Sequence, residues 1–328
     1  MVELMKAVQI ETDKPLFLAD YPLPEPQPGE VLIKVAASGL NRADLLQRRG
    51  MYPPPKGASQ IMGLECAGEI VGLGDGVNGW TLGDKVCALL AGGGYASYAC
   101  VDQGALLPVP EGMDLIAAAA LPEAMMTVWA NVFDHARLKT DEAVLIHGGT
   151  SGIGVMALQM LRVFGIKEIY ATAGSDEKCE KITALGGTCA INYRTQDFEE
   201  IITASGGVDV ILDMVGGEYV QKNISIARRG GRIVNIAYMQ GPVVTVNLLP
   251  VMLKALILTG TTLRARPNAE KARLRKGVQE TFWAGIEAGQ IQPIVDTVYP
   301  AADADAAHAH MAKGGHIGKI ILDWSDVS

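Results

Sequence analysis

The chain shows no internal repeat, no strict glycine period and no shortage of apolar residues: 49% are hydrophobic and 20% charged. Fibrous and disordered classes are thereby excluded. Cysteine is scarce, with five in 328 residues, an odd number at irregular spacings. This pattern fits reduced thiols better than a disulfide framework, and a cytoplasmic protein is expected. Basic residues are also in deficit: 28 Lys and Arg against 36 Asp and Glu leave a net charge of −8. That field repels phosphate backbones and anionic lipid, so neither a nucleic-acid nor a membrane partner is expected. The first residues include Glu3 and Lys6 and no basic segment followed by an apolar run, which predicts no export signal. Long apolar runs are missing too. The two longest, 251–258 and 115–126, are broken by Lys254 and by Pro122-Glu123, short of the ~20 residues a membrane span needs.

At roughly 100–200 residues per domain the length suggests two domains. Short β-prone runs at 6–11, 31–38, 69–71 and 85–89 alternate with Tyr21-Pro22-Leu23-Pro24-Glu25-Pro26, Pro53-Pro54-Pro55 and Gly92-Gly93-Gly94. This texture predicts a twisted, barrel-like β fold. From about Met125 it changes: apolar strands at 143–146, 168–172, 189–191, 208–212 and 232–236 alternate with helices, among them 154–164 and 175–185. Buried strands alternating with helices predict parallel βαβ units and a doubly wound, nucleotide-binding α/β layout. A helical stretch at 267–288, an alanine-rich helix at 301–313 and a last strand at 319–323 return to the first domain. The expected division is therefore 1–124 with 264–328, and 125–263 inserted between them.

His147-Gly148-Gly149-Thr150-Ser151-Gly152-Ile153-Gly154 follows a strand and opens a helix. Glycines there permit a tight turn and close approach of a pyrophosphate to backbone N–H groups at the helix N-terminus. The fingerprint is imperfect, because Ser151 takes the place of the middle glycine, with Gly152 beside it. An Asp or Glu about 20 residues on would select NAD by binding the ribose 2′-hydroxyl. Ala171-Thr172-Ala173-Gly174-Ser175 offers no acid, and Lys178 follows one turn after Ser175, a setting suited to the 2′-phosphate of NADPH. Asp176 and Glu177 have a structural reason in the helix dipole behind a Ser175 N-cap, and the local alternative for Lys178 is a solvated helix lysine, with NADPH the preferred reading.

Further motifs are Ser38-Gly39-Leu40-Asn41-Arg42-Ala43-Asp44, Gly63-Leu64-Glu65-Cys66-Ala67-Gly68, Leu121-Pro122-Glu123-Ala124, Ile191-Asn192-Tyr193 and Ile317-Gly318-Lys319-Ile320-Ile321-Leu322. With these, nearly the whole chain resembles the quinone oxidoreductase branch of the medium-chain dehydrogenase/reductase superfamily. The resemblance implies a GroES-like catalytic domain, an inserted Rossmann domain, a cleft between them for NADPH, and a homodimer formed through the edge of the nucleotide-binding sheet. It places Ser175, Lys178 and Tyr193 at the 2′-phosphate and adenosine end, and Thr127, Ser151, Gly152 and Ile153 along the pyrophosphate. Asn41 and Tyr52 would face the nicotinamide and substrate as catalytic residues. Val215, the Ala237, Tyr238 and Met239 turn, Thr261 and Leu263 would touch the cofactor, with Gly174 beside Ser175, and Lys319 would close over it. Some members carry a tyrosine where this chain has Leu46. Local alternatives stand beside these roles: Asn41 as a helix cap, Tyr52 as packing in a stiff loop, Tyr193 as a core aromatic, and the 256–261 region as an ordinary buried strand.

Zinc members of the superfamily show Gly-His-Glu where this chain has Gly63-Leu64-Glu65, and leucine cannot coordinate. Nor do the cysteines cluster as a structural site requires, and His308 and His310, two residues apart, diverge on a helix, so no metal is expected. Without a Lewis acid the favoured acceptors are electrophilic conjugated systems: quinones first, enones or enoyl thioesters as the alternative, with a non-catalytic NADPH-binding protein as a third reading.

Overall fold

The computed structural model describes residues 3–11 and 14–327. The outer bounds of the expected division, residues 1 and 328, lie outside the described residues. The chain forms two compact units: Met1–Met126 with Leu263–Glu287 and Pro293–Ser328, and Thr127–Thr262 with Ala288–Gln292.

In the first unit β1 (Leu4–Gln9) and β2 (Phe17–Pro22) make an antiparallel pair, followed by β3 (Glu30–Gly39), β4 (Glu65–Leu73), β5 (Lys85–Leu89), β6 (Tyr98–Asp102) and β7 (Leu106–Pro108). The second unit holds β8 (Ala143–Ile146), β9 (Glu168–Ala173), β10 (Cys189–Asn192), β11 (Val208–Asp213), β12 (Ala227–Asn235) and β13 (Ile257–Gly260). β14 (Val295–Pro300) and β15 (Lys319–Asp323) return to the first unit.

The first unit's larger sheet runs β14-β15-β3-β4-β5-β7, with β6 also paired to β3. Its register sets Ser38 opposite Cys66 and also opposite Leu322. The end of β3 and the starts of β4 and β15 therefore meet at one end of the sheet, which brings Asn41, Glu65 and Lys319 together. Val31, Ile33, Val35, Ile70, Val86, Leu106 and Trp324 form the core beneath. β4 is longer than the expected 69–71, because pairing with β3 and β5 carries it through Gly68, where a Cβ would collide with the Lys34 carbonyl.

The second unit is a six-stranded parallel sheet in the order β10-β9-β8-β11-β12-β13. The strand order reverses between β8 and β11, and ligands of such sheets bind beyond the carboxyl ends of the strands at that switch point. The helix after β8 begins at Gly152, not 154, because Ser151 is its N-cap. β12 begins at Ala227, earlier than the expected 232, since its register with β11 starts there. β13 is the edge strand, and the local alternative of an ordinary buried strand there fails: Ile257 is 54% exposed and Leu258 39%.

One exclusion is corrected. The helical run Leu115–His135 has 21 residues and a most apolar window of mean hydropathy 1.4, long and apolar enough to cross a membrane on those criteria alone. Pro122 opens a helical segment, where its missing N–H costs nothing, and so does not end the run. Within the fold 72% of that window is buried, as in the core helix of a globular protein.

Candidate functional site

In the second unit the strand β8 delivers His147 to Gly154 onto the switch point. Ser151 Oγ accepts the Gly154 N–H at 3.0 Å and opens the helix Gly152–Phe164. Gly154 packs so tightly against the Gly148 carbonyl that no side chain fits there. A helix N-terminus with this approach carries the partial positive charge and free N–H groups that an anion uses. Ser151, Gly152 and Ile153 are all half-buried at that turn.

At the end of β9, Ser175 caps the helix Asp176–Ala184, its Oγ accepting the Lys178 N–H at 3.3 Å. Asp176 turns to Asn192, whose Nδ2 donates to it at 2.7 Å. Tyr193 is 46% exposed, so the core-aromatic alternative fails. A Cβ on Gly174 would lie 2.6 Å from Tyr193 Oη and 3.5 Å from Arg194 Nε. Gly174, Ser175, Lys178 and Tyr193 thus share one corner, and Arg194, a cation that the sequence pattern does not single out, completes it. Its place next to Tyr193 is the one signal of it in the sequence.

The remaining expected residues of this unit are spread over several loops. Thr127 is buried, and Val215 and Ala237 are half-buried. Tyr238 and Met239 are exposed, and the half-buried Thr261 donates its hydroxyl to Asn131 Oδ1 at 2.5 Å. Leu263, expected beside the cofactor, is a buried residue of the first unit.

In the first unit Asn41 is the N-cap residue of the helix Arg42–Arg48, and its backbone N–H donates to Asp44 Oδ2 at 2.7 Å. Its side chain joins a buried ion pair. Lys319 Nζ lies 2.5 Å from Glu65 Oε1 and donates to Asn41 Oδ1 and the Leu40 carbonyl, each at 2.7 Å. Asn41 Nδ2 donates to Glu65 Oε1 at 3.0 Å and the Gly39 carbonyl at 3.3 Å, and Glu65 Oε2 accepts the Glu123 N–H at 2.9 Å. Every ammonium proton of Lys319 is engaged, so the residue expected to close over a cofactor is instead buried in a structural node. In sequence Glu65 reads only as part of a glycine-rich motif, with nothing to mark it as the acid of this node.

Behind Asn41, Tyr95 donates its hydroxyl to Asp44 Oδ2 at 3.0 Å and lies 3.3 Å from His308 Nε2. All three are buried. Burial raises the Asp44 pKa to about 6, against bonds from Asn41 and Tyr95, and lowers that of His308 to about 4. Tyr52 is half-buried, with the Arg264 guanidinium 5.2 Å from its ring centroid. Arg264, also unmarked by any sequence motif, donates to the Tyr52 carbonyl at 2.9 Å, the Ala91 carbonyl at 2.7 Å and Gln47 Oε1 at 2.7 Å. Burial and then Glu123 raise the Tyr52 phenol's pKa, with Arg264 opposing, so its hydroxyl stays protonated at neutral pH. His308 points inward to Tyr95 and His310 outward to Tyr299, as their spacing required. Among the described residues no group of three or more His, Cys, Asp or Glu could hold a metal ion.

A mainly antiparallel β unit joined to a doubly wound parallel sheet with a glycine-rich turn at its switch point defines a two-domain α/β dinucleotide-binding class. Family models agree: the alcohol dehydrogenase GroES-like domain matches residues 27–111, and a zinc-binding dehydrogenase domain matches 185–322. The chain is 31% identical over 331 residues to the quinone oxidoreductase of Mus musculus, spanning 98% of each. It is also 31% identical to part of a phenolphthiocerol/phthiocerol polyketide synthase of Mycobacterium tuberculosis, matching 96% of this chain but spanning 15% of that protein. The Thermus thermophilus quinone oxidoreductase structure, described together with its NADPH complex, is 31% identical with a TM-score of 0.83 over 97% of this chain and 100% of that one. The chain belongs to the quinone-oxidoreductase-like family of the medium-chain dehydrogenases/reductases, with a GroES-like unit and a Rossmann unit.

Proposed function

We propose that the protein is an NADPH-dependent quinone reductase acting without a metal. One observation carries the cofactor choice: β9 is followed by Gly174-Ser175 without an acid, Tyr193 and Arg194 stand at that corner, and Lys178 follows in the first turn of the helix that Ser175 caps. A carboxylate in that position would repel a 2′-phosphate, whereas Lys and Arg attract one. The glycine turn, which leaves no room for a side chain at Gly154, suits the pyrophosphate. Bound there, NADPH would supply a hydride from its nicotinamide C4.

In the catalytic unit, the Leu64 side chain offers no ligand, and Glu65 is neutralised by Lys319 rather than available to a cation. Asn41 has both amide hydrogens committed, so we assign it a positioning role, and the protonated Tyr52 hydroxyl is the donor left for an acceptor oxygen. A quinone that takes up a hydride becomes a hydroquinone monoanion, and one proton from Tyr52 or water completes the hydroquinone.

We further propose a reduced-thiol, cytoplasmic setting, supported by five free cysteines, and a homodimer through β13. The edge strand and the adjacent helix Leu249–Lys254 expose Leu249, Met252, Leu253, Ile257 and Leu258, an unpaired apolar edge that a second copy would cover.

The test is NADPH and NADH oxidation by purified protein against ortho-quinones, para-quinones and enals in parallel, with Tyr52→Phe alongside. Faster turnover with NADPH and quinones supports the reading. Preference for enals transfers it to the enone or enoyl thioester reductases, and NADPH binding without turnover of either acceptor class leaves a non-catalytic binding protein.

A further inference from the structure

The Rossmann unit contains a buried polar chain that the cofactor contacts do not use. Asp213 is fully buried and acts only as an acceptor: Oδ1 receives the Val215 and Gly216 N–H groups at 2.7 and 3.2 Å, and Oδ2 receives Asn223 Nδ2 at 3.2 Å and Asn235 Nδ2 at 3.0 Å. With its nitrogen directed at Asp213, Asn223 can offer only Oδ1 to His147 Nε2, 2.8 Å away. Nε2 therefore carries the proton. His147 Nδ1 is then an acceptor and takes the Thr172 hydroxyl proton at 3.1 Å, while Thr172 Oγ1 accepts the Gly148 N–H at 3.3 Å. The direction of every bond follows from the one group that cannot donate.

The surroundings favour this single arrangement. His147, Asn223 and Asp213 have no exposed surface, and Thr172 has 1%. Phe198 and Tyr219 meet the imidazole edge to face, with centroids at 4.9 and 4.8 Å. Burial lowers the His147 pKa, against the pull of Asp213 and the bond to Asn223, which keeps the ring neutral as the chain requires. Gly148 at one end belongs to the glycine turn at φ +68°, and Val215 and Gly216 at the other belong to the turn after β11. Two segments far apart in sequence, whose backbone pairing ends where the His147 N–H meets the Leu212 carbonyl at 3.1 Å, are thus linked by side chains beyond that last backbone bond.

We propose that His147 is a positioning residue for dinucleotide binding: its neutral, Nε2-protonated imidazole braces the glycine turn against the turn after β11, so the glycine turn holds one preset geometry before a ligand arrives. It touches no cofactor atom itself. A turn ordered in advance loses less conformational freedom when the ligand arrives, and the gain appears as affinity rather than as rate. This inference rests on the reading of the glycine turn as the dinucleotide site.

The experiment is a titration of NADPH into wild type, His147→Leu, Thr172→Val and the double variant, read by nicotinamide fluorescence, with melting curves and kcat at saturating cofactor measured beside it. Each single variant is expected to raise Kd by about tenfold while kcat falls by less than about threefold. The double variant should bind no more weakly than the worse single, because both cut the same chain. Dissociation constants within about twofold of wild type overturn the proposal, as does an unchanged Kd with a collapsed kcat. Where His147→Leu fails to fold, the nearly isosteric Thr172→Val decides by the same criterion. A wild type that binds neither NADPH nor NADH overturns the cofactor reading itself, a result distinct from variants that bind as well as wild type.

Discussion

Lys319 Nζ and the Asn41 side-chain oxygen lie 2.7 Å apart although 278 residues separate them in the chain. The third member, Glu65, has no exposed surface, so the pair cannot share its charge with water. Removing one partner from a buried pair strands the other, at about 3–5 kcal/mol, whereas removing both costs far less. Glu65→Gln or Lys319→Met should therefore lower stability by about that amount in urea titrations, and the double variant should recover much of it. A double variant as unstable as the sum of the singles would show that the pair does not act as a unit.

Arg264 fastens the Tyr52 backbone with one donor, holds Gln47 and the Ala91 carbonyl with others, and has its guanidinium near the Tyr52 ring. A lysine retains the charge but not the fork. Arg264→Lys is expected to reduce kcat/KM for quinones by about tenfold, leaving the NADPH dissociation constant within about twofold. Equal losses in both would mean that Arg264 holds the unit together generally.

At the Gly174 corner, charge-assisted bonds to a phosphate are worth about 1.5–3 kcal/mol each. Lys178→Ala and Arg194→Ala should each weaken NADPH binding by about tenfold or more while changing NADH little. Gly174→Ala, whose methyl would meet Tyr193 Oη, should displace that ring and weaken NADPH as well. Equal effects on both nucleotides would locate the 2′-phosphate elsewhere.

Asp44 and His308, bridged by Tyr95, have opposing pH dependences. His308 titrates at about 4 in the fold against an ordinary 6.5, so the unfolded chain binds the extra proton between these values and acidification destabilises. Asp44 titrates at about 6 against an ordinary 3.8, so the fold binds the extra proton there and acidification stabilises. Each contribution reaches up to about 3 kcal/mol, and across pH 4–6 they largely offset. His308→Phe removes one of them, and its stability should rise as pH falls from 6 to 4 while wild type stays comparatively flat. Parallel pH profiles from urea unfolding would refute the pairing.

Ile257→Lys puts a charge on the exposed edge strand without disturbing a core. If two copies pair there, sedimentation should show a dimer for wild type and a monomer for the variant, with unchanged melting of the monomeric fold. A variant that sediments as wild type would place any dimer contact on another surface.

Local pattern carries the second unit further than the first. The strand Ala143–Ile146, the glycine turn and the Ser175 cap follow from apolar runs, glycine spacing and capping chemistry within a few residues of each other. β4 reads short in the sequence because Gly68 and Ala67 have little strand preference of their own, and only pairing with β3 and β5 makes them a strand. The run Leu115–His135 reads as interrupted because Pro122 counts as a breaker until it is seen to open a helical segment.

The sequence by itself determined the two-unit plan, the doubly wound sheet, the turn beside Ser151 and the acid-free end of β9, since each depends on the types and spacing of neighbouring residues. Only the tertiary structure decided that Lys319 serves Glu65 and Asn41, that Arg264 clamps Tyr52, that Arg194 stands at Gly174, and that His147 links two turns. A side chain's partners across a sheet depend on register and burial, and a lysine or histidine looks the same in sequence whether it faces water, a ligand or a buried carboxylate.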